Sequence, residues 1–222
     1  MRELVLAWRR TAAATLALCA IAGALIAFGT DGFRALTSEQ ARRNAIARDP
    51  RRVPEVTLED QDGRRFTFAE YRGQPFAVNF VYTRCRALCT VSSAGFERLD
   101  REERSRAAAG TRRLELVSVS FDSSDTPERL RDYASRHSAD GRRWRFARIR
   151  DAGARAAFLE TFGIVVIPMP PADFQHNAAV HLVDAEGRLA RVLDLDATAL
   201  DVSRALESMS DAERVARAAA NR

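Results

Sequence analysis

The chain has 222 residues and a formal charge of +5. Beyond an apolar N-terminal stretch, that leaves one domain large enough to bury a single core. All 35 basic residues are arginine, and the acidic residues are interspersed among them, so the basic stripe that nucleic-acid binding needs is missing. Three cysteines are too few for the disulfide framework of a small secreted fold.

Thr11–Phe28 is an uncharged apolar run preceded by Arg9 and Arg10. At about 1.5 Å per residue it nearly spans a bilayer core. A cleaved signal peptide is the competing assignment. Its apolar region would be unusually long, and Gly29-Thr30-Asp31 is not a small-x-small cleavage site, although Ala20-Ile21-Ala22 upstream fits that pattern. Leu18 is too bulky to precede a lipid-modified Cys19. The expected organisation is therefore a cytoplasmic tail at 1–10, a transmembrane anchor at 11–28, a tether at 29–53, a folded domain at 54–210 and a C-terminal tail at 211–222. The arginines directly flanking the span lie on its short side, and a long downstream domain translocates regardless of its own charges. The domain is thus expected on the outer side of the cell membrane, in the periplasm or cell exterior. Within the tether, Ser38–Ala47 is compatible with a short surface helix.

Val56-Thr57-Leu58 and Arg65-Phe66-Thr67-Phe68 are strand-like pieces around Asp62-Gly63, a hairpin signal. Phe76–Tyr82 is nearly continuous in apolar residues and predicts a buried central strand. Ala87–Arg106 predicts a helix with Leu88, Val91, Phe96 and Leu99 on one face, and Arg113–Phe121 predicts the next strand. Asp125-Thr126-Pro127-Glu128 is a helix start, with Asp or Thr as N-cap and Pro in the first turn. That helix runs to His137. Trp144–Ala147 predicts a short strand, and Ala152–Phe162 a helix with Phe158, Leu159 and Phe162 on one stripe. Pro168, Pro170 and Pro171 argue for an irregular loop before the strand Ala178–Val183, a turn at Asp184–Gly187 and the strand Arg188–Leu193. Thr198–Ser208 predicts a last helix, with a fraying Ala/Arg tail. This order predicts an α/β fold: a thioredoxin-like mixed sheet with flanking helices, the cysteines lying at the first strand–helix junction of the core.

Cys85 and Cys89 are four residues apart, on one helix face and about 6 Å between Cα atoms, within reach of a disulfide. The pair can be a disulfide, two thiols or two ligands of one ion. The helix N-terminus together with Arg84 and Arg86 favours thiolate, the nucleophilic and metal-binding form. Two thiolates do not complete a zinc site, whereas two thiolates and one imidazole suit copper. Two buried structural cysteines, or a plain disulfide, are the functionally silent alternatives. Of the three histidines, His137 ends a surface helix as a solvated cap, and His181 sits in a strand as a satisfied or half-exposed residue. His176 ends the proline-rich loop, which in a thioredoxin-like arrangement abuts the cysteine turn. Met169, a thioether in the same loop, is more simply a packing residue than a ligand.

Four separated motifs over residues 54–210 resemble the Sco/SenC family of copper-binding proteins. They are Cys85-Arg-Ala-Leu-Cys89, Val117–Asp122 leading to Asp125-Thr-Pro-Glu128, His176 just ahead of a strand, and that strand's closing Asp184-Ala-Glu-Gly187. The resemblance implies copper, as Cu(I) or Cu(II) and one per domain, bound by Cys85, Cys89 and His176. It implies an anchored assembly factor for the copper centre of a haem–copper oxidase, acting on a copper-accepting subunit or another copper protein by delivery, by thiol reduction, or both. The sequence departs from the family pattern where Arg86 and Thr90 replace prolines around the cysteines and where Gln175 replaces an aspartate before the histidine. A membrane-anchored thiol–disulfide oxidoreductase using Cys85 and Cys89 without copper is the alternative. The three-residue gap and His176 argue against it, since such reductases carry Cys-x-x-Cys and need no facing histidine. A thiol peroxidase fits less well, because Thr83 lies two rather than three residues before Cys85.

Overall fold

The computed structural model describes residues 2–29, 32, 37–85, 88–108, 114–170 and 173–220. It forms two compact units, Met1–Arg48 and Asp49–Arg222. The first contains α1 (Arg2–Gly29) and α2 (Ser38–Arg48). In α1, the 22 residues Trp8–Gly29 are long and apolar enough to cross a membrane, and Leu16, Leu18, Ile21 and Leu25 are exposed. In α2, Glu39 pairs with Arg42 and Arg43. The hydrogen bond from Arg42 is the main force holding its carboxyl down to about 2.

The second unit contains β1 (Arg51–Arg52), β2 (Leu58–Asp60), β3 (Arg65–Phe66), a 3-10 turn at Phe68–Tyr71, β4 (Phe76–Val81), α3 (Leu88–Ala108) and β5 (Glu115–Ser120). It continues with α4 (Pro127–Arg136), β6 (Trp144–Ile149), α5 (Ala152–Phe162), β7 (Val166–Met169), β8 (Asp173–His176), β9 (Val180–Val183), β10 (Arg188–Leu193) and α6 (Ala199–Ala220). Eight strands form one sheet in the order β1-β10-β9-β4-β5-β6-β2-β3. β4 is buried at every position, as its unbroken apolar run requires. It runs parallel to β5, with Val78 opposite Val117, and antiparallel to β9.

Alternation along β4 divides the core. Ala77 and Val81 face Phe96 and Leu99 of α3, Leu130 of α4 and Val202 of α6 in one apolar cluster. Phe76 and Phe80 face the other way. Phe80 meets Phe162 of α5 at 5.1 Å between ring centroids, and Phe76 meets Tyr71 at 4.6 Å. These helices on both faces complete the thioredoxin-like α/β arrangement. Close packing also explains Gly95 in α3: a Cβ there would lie 2.4 Å from the Leu195 carbonyl oxygen.

Three expectations change. The proline-rich segment is not irregular. β7 and β8 pair as a two-stranded antiparallel ribbon, with Pro168 opposite Phe174. Such a ribbon consists of edge strands, where a residue without an N–H is tolerated. The Ala/Arg tail continues α6 to Ala220, because Ala and Arg are strong helix formers and no Gly or Pro intervenes. His181 lies on the face opposite Val180 and Leu182 as alternation dictates, but it is fully buried. The helix α5 covers that face, and the imidazole packs on Phe80 and Phe162.

Candidate metal centre

β4 ends at Val81, and the chain turns through Tyr82, Thr83 and Arg84 so that the Cys85 amide donates to the Tyr82 carbonyl at 3.3 Å. Two buried aspartates beyond β5 hold this turn. The Asp125 carboxylate accepts from the Thr83 amide at 2.9 Å, from the Thr83 hydroxyl at 2.5 Å and from the Ser120 hydroxyl at 2.6 Å. Arg84 donates to Asp122 at 2.7 Å. Burial opposes ionisation of Asp122, but hydrogen bonds from Ser124 and Arg84 outweigh it and hold the carboxyl below its ordinary value. Thr126 caps α4, accepting from the Arg129 amide, which leaves Asp125 to the cysteine turn.

The other wall is β8. The Tyr82 hydroxyl donates to the Asp173 carboxylate, and the Phe174 carbonyl lies 3.1 Å away. Burial, followed by the hydrogen bonds with Asp173 and Cys85, pushes the Tyr82 phenol well above its usual range. Its ring lies 6.0 Å from that of His176 and 5.3 Å from that of Phe121, and Phe121 stands 4.8 Å from His176. Tyr82 therefore has both Cys85 and His176 as neighbours.

His176 is buried, and that burial lowers its pKa and favours the neutral, ligating imidazole. Its Nδ1 lies 2.9 Å from the Asn177 carbonyl. A carbonyl only accepts, so Nδ1 carries the proton and the lone pair is on Nε2, the arrangement usual for a metal-binding histidine.

Cys85, half-buried, and His176 are thus linked through Tyr82. Cys89 lies in the first turn of α3, and its side chain is outside the described residues. Among those residues, no group of three His, Cys, Asp or Glu could hold a metal ion. The other candidates lie elsewhere. Cys19 is exposed in α1. Met169 is exposed on the ribbon. His137 caps α4 as expected, but rests against Tyr133 at 4.9 Å rather than being fully solvated. A thiol and a neutral, buried imidazole held among aromatic rings are donors suited to a soft metal such as copper. Sequence reasoning missed Tyr82, Phe121 and Asp173, whose roles depend on the ribbon. It left Asp125 as one of two possible helix caps.

A family profile described as SCO1/SenC matches residues 45–211. The chain belongs to the SCO1/SenC family. Among relatives, this SCO1/SenC protein is 21% identical over 146 residues to an SCO1 protein homolog of Bacillus subtilis, covering 63% of this chain and 72% of that one. Among solved structures, it resembles Bradyrhizobium japonicum ScoI with copper bound, with TM-score 0.55 and 23% identity over 73% of this chain and 98% of that one. It also resembles BsSco, described as a member of the Sco family of cytochrome c oxidase assembly proteins in which a disulfide switch was identified. There the TM-score is 0.60 and the identity 20%, over 72% of this chain and 95% of that one. At these identities the structural likenesses establish the shared fold.

Proposed function

We propose that this SCO1/SenC protein is a copper-binding assembly factor for the copper centre of a haem–copper oxidase. One copper ion per domain, as Cu(I) or Cu(II), is carried as cargo on the thiolates of Cys85 and Cys89 and on Nε2 of His176. The observation that supports this reading is that Tyr82, which interacts with Cys85, has its ring 6.0 Å from that of a buried His176. Cys89 follows one helical turn later in sequence, at the N-terminus of α3, where the helix dipole favours thiolate. The copper-bound relative and the oxidase-assembly role named for BsSco support the same reading.

The apolar stretch of α1 serves in this account as a single-pass anchor in the cell membrane, with residues 54–210 facing the periplasm or cell exterior. A second reading, thiol–disulfide exchange by Cys85 and Cys89 on a client's cysteines, is supported by the disulfide switch named for BsSco.

The test is copper retention by the full chain, reduced in detergent, given one equivalent of copper and desalted. Wild type is expected to keep the metal, and with Cu(II) to show a sulfur-to-copper charge-transfer band. His176→Ala is expected to lose most of it. Equal retention by His176→Ala would remove the histidine from the site and favour the reductase reading.

A further inference from the structure

Tyr82 is 2% exposed. Its ring packs on Phe121 at 5.3 Å, Phe174 at 5.2 Å and His176 at 6.0 Å between centroids, and such close packing fixes where its hydroxyl lies. That hydroxyl meets three polar groups: the Asp173 carboxylate, the Phe174 carbonyl at 3.1 Å and the Cys85 side chain. A phenol has one hydrogen to donate. Burial, with the hydrogen bonds to Asp173 and Cys85, raises the Tyr82 pKa and keeps that hydrogen in place at neutral pH.

Cys85 is a free thiol in the structure. Carboxylate and carbonyl oxygens only accept, whereas a thiol has a hydrogen of its own. The arrangement that satisfies all three groups is a chain: the Cys85 thiol donates to the Tyr82 oxygen, and the Tyr82 hydroxyl donates to Asp173. A copper-bound sulfur has no hydrogen to give, and it then competes with the carboxylate for the hydroxyl's. Asp173 can yield it at little cost. It is exposed to water, and it already accepts from the Phe174 amide at 2.9 Å. A disulfide sulfur also has no hydrogen, and it accepts only weakly.

We propose that Tyr82 is a positioning residue for Cys85: its hydroxyl holds the reduced sulfur against disulfide formation and donates to that sulfur when copper has displaced the thiol hydrogen, with Asp173 competing for the same hydrogen. The copper half rests on the proposed copper-carrier function, and the redox half does not. Without the hydroxyl, the reduced pair loses a hydrogen bond that the disulfide makes only weakly, so oxidation becomes easier. Without the Asp173 carboxylate, the hydroxyl turns its hydrogen to the sulfur and oxidation becomes harder. On copper, a hydrogen bond to sulfur lowers the energy of its donor electrons, which is how such bonds tune copper–thiolate sites. A merely structural role, gripping the ribbon, would move both variants the same way, because each breaks the same Tyr82–Asp173 bond.

The test uses the full chain in detergent, with Cys19→Ser so that Cys85 and Cys89 are its only cysteines. It is equilibrated with reduced and oxidised glutathione at neutral pH. Two glutathione thiols pass two electrons and two protons to the Cys85–Cys89 disulfide and leave joined as glutathione disulfide. Tyr82→Phe is expected to shift this equilibrium about fivefold toward the protein disulfide, the scale of one hydrogen bond. Asp173→Ala, a change at an exposed residue, is expected to shift it toward the dithiol. With Cu(II) added to the reduced chain, the sulfur-to-copper band is expected at longer wavelength in Tyr82→Phe and at shorter wavelength in Asp173→Ala. Shifts in the same direction in both variants overturn the proposal in favour of a ribbon grip alone. An equilibrium unmoved by Tyr82→Phe overturns the redox half, and an unmoved band overturns the copper half. A wild type that binds no copper, beside glutathione shifts of opposite sign in the two variants, overturns the copper-carrier function and supports the hold of Tyr82 on the sulfur.

Discussion

The Asp125 carboxylate accepts hydrogen bonds from both the amide and the hydroxyl of Thr83, two residues before Cys85. A fully buried carboxylate at the start of one helix thereby sets the path of the chain into another. Asp125→Ala leaves the Thr83 and Ser120 hydroxyls without this acceptor. The expected loss is about 3 kcal/mol of unfolding free energy, given hydrogen bonds to charged groups and the cost of stranding buried donors. Chemical denaturation measures it. A loss below about 1 kcal/mol would mean that the turn holds itself.

Tyr82→Phe keeps the ring beside Phe121 and His176 and removes only the hydroxyl, which grips Asp173 and also interacts with Cys85. Stability is expected to fall by about 1–2 kcal/mol, with faster amide hydrogen exchange in β7 and β8 and unchanged exchange in β4. Exchange rising equally in both places would assign the hydroxyl to the core rather than to the ribbon.

Gly95 has no room for a methyl group against the Leu195 carbonyl. Gly95→Ala is expected to cost about 1–3 kcal/mol through overpacking, despite alanine's better helix propensity. A more stable variant in thermal unfolding would show that α3 can slide away from that connection.

Much of this architecture was legible in the sequence, for reasons that can be named. The buried run Phe76–Val81, the stripe Phe158–Phe162 and the turn Asp184–Gly187 each carry a local signal, and each forms the element it predicts. The loop order of a thioredoxin-like sheet sets His176 against the cysteine turn; the structure shows it buried beside Tyr82, and its place in a metal site is part of the proposed function. The ribbon was not legible: Pro168 and Pro170 argue locally against strands, and the pairing of Val166 with His176 is settled between segments. Nor was the role of Asp125, since an Asp-Thr-Pro run offers two caps and only the packed structure frees one of them.

Asp122 gives a pH dependence of known sign. Its pKa in the folded chain lies below the ordinary 3.8. Its contribution to stability is therefore full above that value and is lost as pH falls through the lower folded value. Asp122→Asn is expected to be less stable than wild type at neutral pH, with the difference narrowing below about pH 4. Unfolding midpoints across that range check it, and a gap that widens with acid would reverse the assigned sign.

The most direct test of the central claim is the copper content of the full chain with Cys85 and Cys89 first reduced and then oxidised to a disulfide. Thiolates are the proposed ligands, and oxidation consumes them. The account predicts one copper per reduced chain, with a sulfur-to-copper charge-transfer band in the Cu(II) form, and none in the oxidised chain. Copper retained in full by the oxidised chain, or absent from the reduced one, would contradict it.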